Sequence, residues 1–222
     1  MIEQNGFAIL PDVLSKSEAQ LLGQELAGSA LKKSKAGARH VLRHPAVTGL
    51  AHDVRMIDIA RQVLGSGAQP FRATLFEKSR QANWLVVWHQ DTSLPLVRRV
   101  EAPGWGRWLV KDGVVYAHAP ADVLSNVLAL RIHLDDSTEQ NGPLRVLPGT
   151  HTLGVLTDDA IHRLASKIVP VDCLVSLGGV LAMRPLVVHA SSKCASNLPR
   201  RVLHIEYSSA LRIAADLELA LC

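Results

Sequence analysis

Polar and apolar positions alternate with two different periods along this chain. Over the first 69 residues the spacing is helical. Leu14, Leu21, Leu22 and Leu26 fall on one face, and Ser15 or Ser17 stands where a cap belongs, which predicts a helix running to about Ala30. Before it, Gly6-Phe-Ala-Ile-Leu-Pro-Asp-Val-Leu14 reads as a short strand and a turn. Lys32 to His44 is basic and contains glycine, and reads as exposed loop. A second helix is expected over Val47 to Leu64, stopped by Gly65-Ser-Gly67.

From Pro70 the period shortens. Strands are expected at Phe71–Lys78, Trp84–His89, Val127–Leu134, Leu144–Leu147, Ile168–Val175, Val180–Val188 and Arg201–Tyr207. Turn formers separate them at Asn141-Gly-Pro143, Pro148-Gly149 and Gly178-Gly179, and Asp158 to Ser166 reads as a short inserted helix. Many short strands punctuated in this way imply a sandwich or a jelly roll. The interval from Thr92 to Asn126, with its prolines, glycines and two tryptophans, reads as an insertion near a barrel mouth. An interval that long is a functional lid or carries structure of its own. No linker composition or repeat divides the chain. The expected organisation is one domain over 1–222, with a mostly helical flank at 1–69 and a jelly-roll core at 70–210 interrupted at about 92–126.

Composition narrows the function. At 222 residues, with 48% hydrophobic and 20% charged, the chain is an ordinary globular protein. No apolar run reaches the roughly 18 to 20 residues of a membrane span, and the first residues lack the basic and apolar regions of a signal peptide. Cys173, Cys194 and Cys222 are odd in number and none sits at C-x-x-C spacing, so a reducing cytoplasm is expected. The net charge of +4 would suit an anionic partner, but the basic residues cluster only briefly, at Lys32-Lys33-Ser-Lys35, Arg98-Arg99 and Arg200-Arg201. Aromatic content of 4% is too low for base-stacking platforms. A small substrate, anionic if the charge balance is its guide, fits better than nucleic acid.

The candidate chemistry lies in Trp88-His-Gln-Asp91 and in Arg184-Pro-Leu-Val-Val-His189-Ala-Ser191. Two imidazoles and one carboxylate, from His89, Asp91 and His189, occupy one face of an iron(II) ion and leave the opposite positions open. Residues i and i+2 of a strand share a face, so His89 and Asp91 can both aim inward from one strand end while Gln90 turns away. The H-x-D pattern alone is weak. A chain with ten histidines holds about half a match by chance. A second match, His133-Leu-Asp135, does exist, and reads either as ligands or as a strand end capping the turn that follows.

An arginine beyond the last histidine suits the far carboxylate of 2-oxoglutarate, which a guanidinium binds through two donors. Arg200 and Arg201 both qualify. If both begin a strand, one reaches into the barrel and the other faces solvent. Ser191 can share the inward face with His189. Lys78 and Asn83 flank the turn before the His89 strand; either could bind a carboxylate or simply shape the turn. His118, Trp105 and Trp108 lie in the insertion and could wall the site, whereas His40, His44, His52, His151, His162 and His204 read as structural.

Taken together these segments resemble the phytanoyl-CoA dioxygenase family of iron(II)/2-oxoglutarate oxygenases. The resemblance also rests on Gly6-Phe-Ala-Ile-Leu-Pro11, Arg131-Ile-His-Leu-Asp-Asp136, Asn141-Gly-Pro-Leu-Arg-Val-Leu-Pro-Gly-Thr-His151 and Arg200-Arg-Val-Leu-His-Ile-Glu-Tyr207, in the family's order over nearly the whole chain. It implies a mainly β fold with flanking helices: a double-stranded β-helix, or jelly roll, of cupin-like barrel form. It implies His89, Asp91 and His189 as ligands of iron(II), and makes His133-Leu-Asp135 structural. It selects Arg200, eleven residues past the distal histidine, over Arg201 for the co-substrate 2-oxoglutarate, with Ser191 beside it. Relatives that halogenate have a small residue in place of the carboxylate, so Asp91 implies hydroxylation, using O2 and releasing succinate and CO2. Two other readings remain open on such a barrel: a cupin-like metalloenzyme without 2-oxoglutarate, and a catalytically silent binding protein.

Overall fold

The computed structural model describes every residue except 1, 35, 36, 80, 81 and 215. In chain order the helices are α1 (Ile2–Asn5), α2 (Lys16–Gly28), α3 (Pro45–Ala51), α4 (Val54–Leu64), α5 (Ala121–Leu124) and α6 (Asp158–Ala165). Ser15 caps α2 in a reciprocal capping box with Glu18, so the expected start holds. The single helix expected over 47–64 is two. The Asp53 carboxylate accepts the Arg55 N–H and caps α4, which interrupts the helix after Ala51.

The strands are β1 (Phe7–Leu10), β2 (Lys33–Ser34), β3 (Gly37–Arg39), β4 (Gln69–Lys78), β5 (Val86–His89), β6 (Ser93–Leu96), β7 (Gly106–Lys111), β8 (Val114–His118), β9 (Val127–His133), β10 (Leu144–Val146), β11 (Val171–Cys173), β12 (Val180–Met183), β13 (His189–Ser191), β14 (Arg200–Ser208), β15 (Arg212–Ala214) and β16 (Leu217–Glu218). A seven-stranded antiparallel sheet runs β1-β12-β9-β14-β4-β3-β2, and a four-stranded one runs β11-β10-β13-β5. Leu181, Met183 and Ala129 of the first pack against Leu144, Val146 and Cys173 of the second. The two sheets therefore close face to face as a double-stranded β-helix.

Several expected boundaries move. The exposed loop at 32–44 instead carries β2 and β3, a hairpin on the edge of the large sheet; Lys35 lies outside the described residues. The strand expected over 180–188 is β12 followed by an irregular turn and then β13, so one run serves both sheets. The insertion carries structure of its own, the second of the two expected alternatives, because β6, β8 and β7 make a three-stranded antiparallel sheet.

The large sheet is covered on both faces, and its alternation sorts chemistry from packing. Leu128, Leu130 and Ile132 of β9, Leu203, Ile205 and Tyr207 of β14, and Ala73 and Leu75 of β4 lie in one core cluster with residues of α2, α3 and α4. The intervening residues point into the barrel. They are Arg131 and His133 on β9, Val202, His204 and Glu206 on β14, and Arg72, Thr74, Phe76 and Lys78 on β4, matched across the registers His204↔Arg131 and His204↔Thr74. The helices thus stabilise a sheet whose inner face is free to be polar. Ile132 has no solvent exposure, so Ile132→Ala should cost about 2–5 kcal/mol of unfolding free energy in a denaturant titration.

Candidate active site

Strand pairing brings the two histidines together. β5 and β13 are antiparallel neighbours with His89 opposite His189, and the ring centroids are 4.2 Å apart. Each ring places Nδ1 2.9 Å from the carbonyl two residues earlier, Val87 for His89 and Val187 for His189. A ring nitrogen facing a carbonyl must carry a proton, so in the neutral ring Nε2 is the nitrogen that keeps the lone pair. Strand β5 ends at His89, and Asp91 lies just beyond it, its N–H donating to Pro185 at 2.9 Å. Gln90 turns away as expected. Its amide donates to Gly154 and Leu186 and accepts from Leu156 N–H, which fixes the bend that aims Asp91 inward.

The three side chains converge. His89 Nε2 lies 3.6 Å from Asp91 Oδ1, and His189 Nε2 lies 3.5 Å from Asp91 Oδ2. One ligand atom from each residue falls within 4.8 Å of the other two, and His89, Asp91 and His189 form the one such group among the described residues. Burial pulls the His189 imidazole down to about 4, so it is neutral at physiological pH. Burial opposes the charge on Asp91, but the adjacent histidines prevail and hold its carboxyl well below the usual range. Two imidazoles and an ionised carboxylate on one side of a cavity match the facial iron(II) set; Asp91 raises the His89 imidazole from its usual range against the pull of burial, and metal binding would take that ring in its neutral form.

On one side of this triad is a pocket of about 100 Å³, bounded by Phe76, Lys78, Trp84, Arg131, Ser191 and Arg200 together with the triad. Lys78, Arg131 and Arg200 are buried, and none makes an ion pair with a carboxylate among the described residues. Lys78 Nζ donates to Ser191 Oγ and to the Ser192 carbonyl, both at 2.6 Å. The Arg200 guanidinium is held loosely, at 3.4 Å from both Ser191 Oγ and the Asn141 carbonyl. Gly142, at φ +68°, lets the turn pack against β13, since a Cβ there would sit 2.4 Å from the Ser192 carbonyl. Burial, aided by Arg200, pulls the Lys78 ammonium down to about 8, and burial with Arg131 pulls Arg200 to about 10. Three buried cations without a counter-charge make a receptor for an anion.

The other sequence candidates separate cleanly. Arg201 points the opposite way from Arg200 but does not face solvent as expected. It lies beneath α2, donates from its backbone and two guanidinium nitrogens to Asp135, and reaches the Gly23 carbonyl. Asp135 is thereby occupied, and His133 is buried away from Asp91 with both ring nitrogens unpartnered. Asn83 does not line the pocket. The strand it was expected to share with His89 begins only at Val86, and its amide donates to and accepts from the Cys194 backbone. Trp105 and His118 line a hollow of about 920 Å³ that reaches His89, whereas Trp108 packs into the core under the insertion.

A third cavity, of about 280 Å³, lies across the triad from the cationic pocket. Arg39, Arg72, Ser93, Lys111, Tyr116, His204 and Glu206 bound it with His89 and Asp91. Arg72 and Glu206 form a two-pronged ion pair there, and His204 stands between Glu206 and Arg131. Arg131, Arg72 and Glu206 were not singled out from the sequence, and His204 was read as structural. The signal available was a polar residue at every second position of an otherwise apolar strand, Arg131-Ile-His133 and His204-Ile-Glu206.

The family model for phytanoyl-CoA dioxygenase matches residues 2–202. The chain belongs to this family. It is an iron(II)- and 2-oxoglutarate-dependent oxygenase. It is 25% identical to the L-proline trans-4-hydroxylase of Streptomyces griseoviridis, over 92% of this chain and 83% of that enzyme. It is 26% identical to the ectoine dioxygenase of Sphingopyxis alaskensis, over 74% of this chain and 53% of that one. Among solved structures, apo EctD from S. alaskensis superposes at a TM-score of 0.70 with 20% identity, covering 99% of this chain and 83% of that one. HygX from Streptomyces hygroscopicus, with nickel and 2-oxoglutarate bound, gives 0.68 with 18% identity, covering 99% and 92%. The epimerase SnoN from nogalamycin biosynthesis gives 0.66 with 19% identity, covering 95% and 80%. These likenesses fix the fold. No described helix is long and apolar enough to cross a membrane.

Proposed function

We propose that His89, Asp91 and His189 hold the iron(II), that Arg200, Lys78, Arg131 and Ser191 receive the far carboxylate of 2-oxoglutarate, and that the enzyme hydroxylates a small molecule. The observation that carries this reading is the juxtaposition of three converging ligand atoms with a pocket of three buried, uncompensated cations. When bound, iron(II) and 2-oxoglutarate supply the oxidising chemistry, consuming O2 and releasing succinate and CO2. The chain's own part is positional. The carbonyls of Val87 and Val187 fix the histidine tautomers, Gln90 fixes the Asp91 bend, and Arg200 and Lys78 neutralise a dicarboxylate that would otherwise be costly to bury. Asn83 serves as a clasp between the turn before β5 and the Cys194 segment.

Asp91 supports hydroxylation over halogenation, because its carboxylate occupies the ligand position that a halide would need. SnoN is an epimerase on the same fold, so the product is decided by the substrate chamber and not by the barrel. A reducing cytoplasmic setting agrees with three buried cysteines, all free.

The test is succinate release from 2-oxoglutarate in air after anaerobic loading with iron(II). Slow release without added substrate is expected, and EDTA should abolish it. No release, together with no 2-oxoglutarate binding by calorimetry, would move the protein to a cupin-like enzyme or a silent binding barrel.

A further inference from the structure

The cavity of about 280 Å³ across the triad has a charge balance that its own contacts do not settle. It is lined by three cations, Arg39, Arg72 and Lys111, and by two carboxylates. Glu206 is spent on Arg72, gripping it through both oxygens. Asp91 is spent on the ligand cluster. Arg39 and Lys111 therefore have no carboxylate partner among the described residues, although Asp112, next to Lys111, pairs with Lys32. Arg39 comes from the end of β3, in the hairpin at the sheet edge, and Lys111 from the end of β7 in the insertion, so two separate elements deliver charge to one wall.

We propose that this cavity is the substrate chamber and that the substrate carries a carboxylate or phosphate held between Arg39 and Lys111. The inference rests on the oxygenase-site reading above and adds the substrate's chemical class to it. Three features support it. The chamber is bounded by both His89 and Asp91, so a bound molecule lies against the metal ligands, whereas the 920 Å³ hollow reaches His89 alone. Its volume falls below the roughly 300–1,000 Å³ of pockets for drug-sized ligands, which fits a compound of amino-acid size. Its far wall is built to stay in place. Tyr116 stacks on His40 and hydrogen-bonds its Nε2 at 2.9 Å, and the Lys111 ammonium sits 5.0 Å from the Tyr116 ring centroid. Burial, with Arg39 and Arg72 nearby, lowers the Lys111 ammonium from its usual range, which an entering anion would reverse. An anion anchored at this wall leaves the remainder of a small molecule pointing at the triad, with the uncharged C–H bonds nearest the oxidising centre.

The test uses nickel(II)- and 2-oxoglutarate-loaded protein kept anaerobic, so that the Lys78–Arg200 pocket is already filled. Acetate, inorganic phosphate and neutral acetamide are titrated by ligand-observed NMR into wild type, Arg39→Ala, Lys111→Ala and the double variant. Thermal midpoints report whether each variant is folded. Acetate or phosphate should bind wild type at least tenfold more tightly than acetamide, and the double variant should lose at least tenfold. The tighter of the two anions identifies the substrate's group. Equal anion binding by wild type and a folded double variant, or no anion binding by wild type, overturns the proposal. Should the wild type fail to take up 2-oxoglutarate in the loading step, the oxygenase-site reading fails instead. If the double variant is unfolded, the comparison is decided on the folded single variant, where a fivefold loss is expected and none overturns the proposal.

Discussion

Asp91→Ala should release iron(II) and stop succinate formation. The variant keeps two imidazoles that face each other across β5 and β13 and loses the only anionic donor among the three. A divalent cation bound by two neutral ligands is left with its charge uncompensated beside a pocket that already contains Lys78, Arg131 and Arg200. Outer-shell partners of metal ligands are worth about 10- to 100-fold in affinity, so loss of a direct anionic ligand should cost at least about 100-fold. Metal content after gel filtration and succinate release, measured together, give the check. His189→Ala should behave alike, since its Nε2 is as close to the Asp91 carboxylate. Wild-type metal retention in Asp91→Ala would mean that the ion sits elsewhere. His133→Ala, by contrast, should retain the metal, because His133 does not join the converging group and its H-x-D partner Asp135 is committed to Arg201. That contrast separates the two H-x-D matches in one experiment.

The difference between those two matches shows where sequence reading reaches and where it stops. The converging triad was legible because its pattern is local: two positions at one strand end, then a histidine closing an apolar run. Strand pairing converts that spacing into geometry, although Asp91 uses a bend pinned by Gln90 and not the strand alternation expected of it. Arg200 and Arg201 could be placed on opposite faces by parity. Which face was inside, and that the outer one would be taken by Asp135 and α2, depended on a helix packing over the sheet from 178 residues away. Asn83 failed for the opposite reason: parity counts only within a continuous strand, and β5 starts three residues later. Arg131, His204 and Glu206 were visible as charges in apolar strands. Their meaning required both faces of the large sheet to be covered, because only then is an inward charge buried and held for a ligand. The β2–β3 hairpin at the sheet edge and the individual strands within the insertion were illegible, being short pairs stabilised by their neighbours.

Arg200→Ala should raise the 2-oxoglutarate concentration needed for turnover while leaving metal retention intact. Truncating one member of a buried charge pair costs about 2–5 kcal/mol, or roughly 30- to 4,000-fold in affinity. The lower end is expected here, because Lys78 and Arg131 still line the pocket and the three charges do not act additively. Arg200→Lys should recover only part of the loss, since an ammonium cannot offer the two parallel donors of a guanidinium. Lys78 adds a pH signature. Its ammonium has been pulled down to about 8 in the ligand-free site, and a bound carboxylate favours the protonated form and raises it again. The complex therefore holds more proton than the free protein, so affinity is full below about pH 8 and falls as pH rises beyond it. Lys78→Met should bind more weakly at pH 7 and show no such decline between pH 8 and 9, below the range near pH 10 where Arg200 would begin to lose its own proton. Calorimetric titration of the anaerobic protein with 2-oxoglutarate at three pH values distinguishes the outcomes: a decline that persists in Lys78→Met assigns the titration to another group, and an unchanged affinity in Arg200→Ala removes that arginine from the co-substrate site.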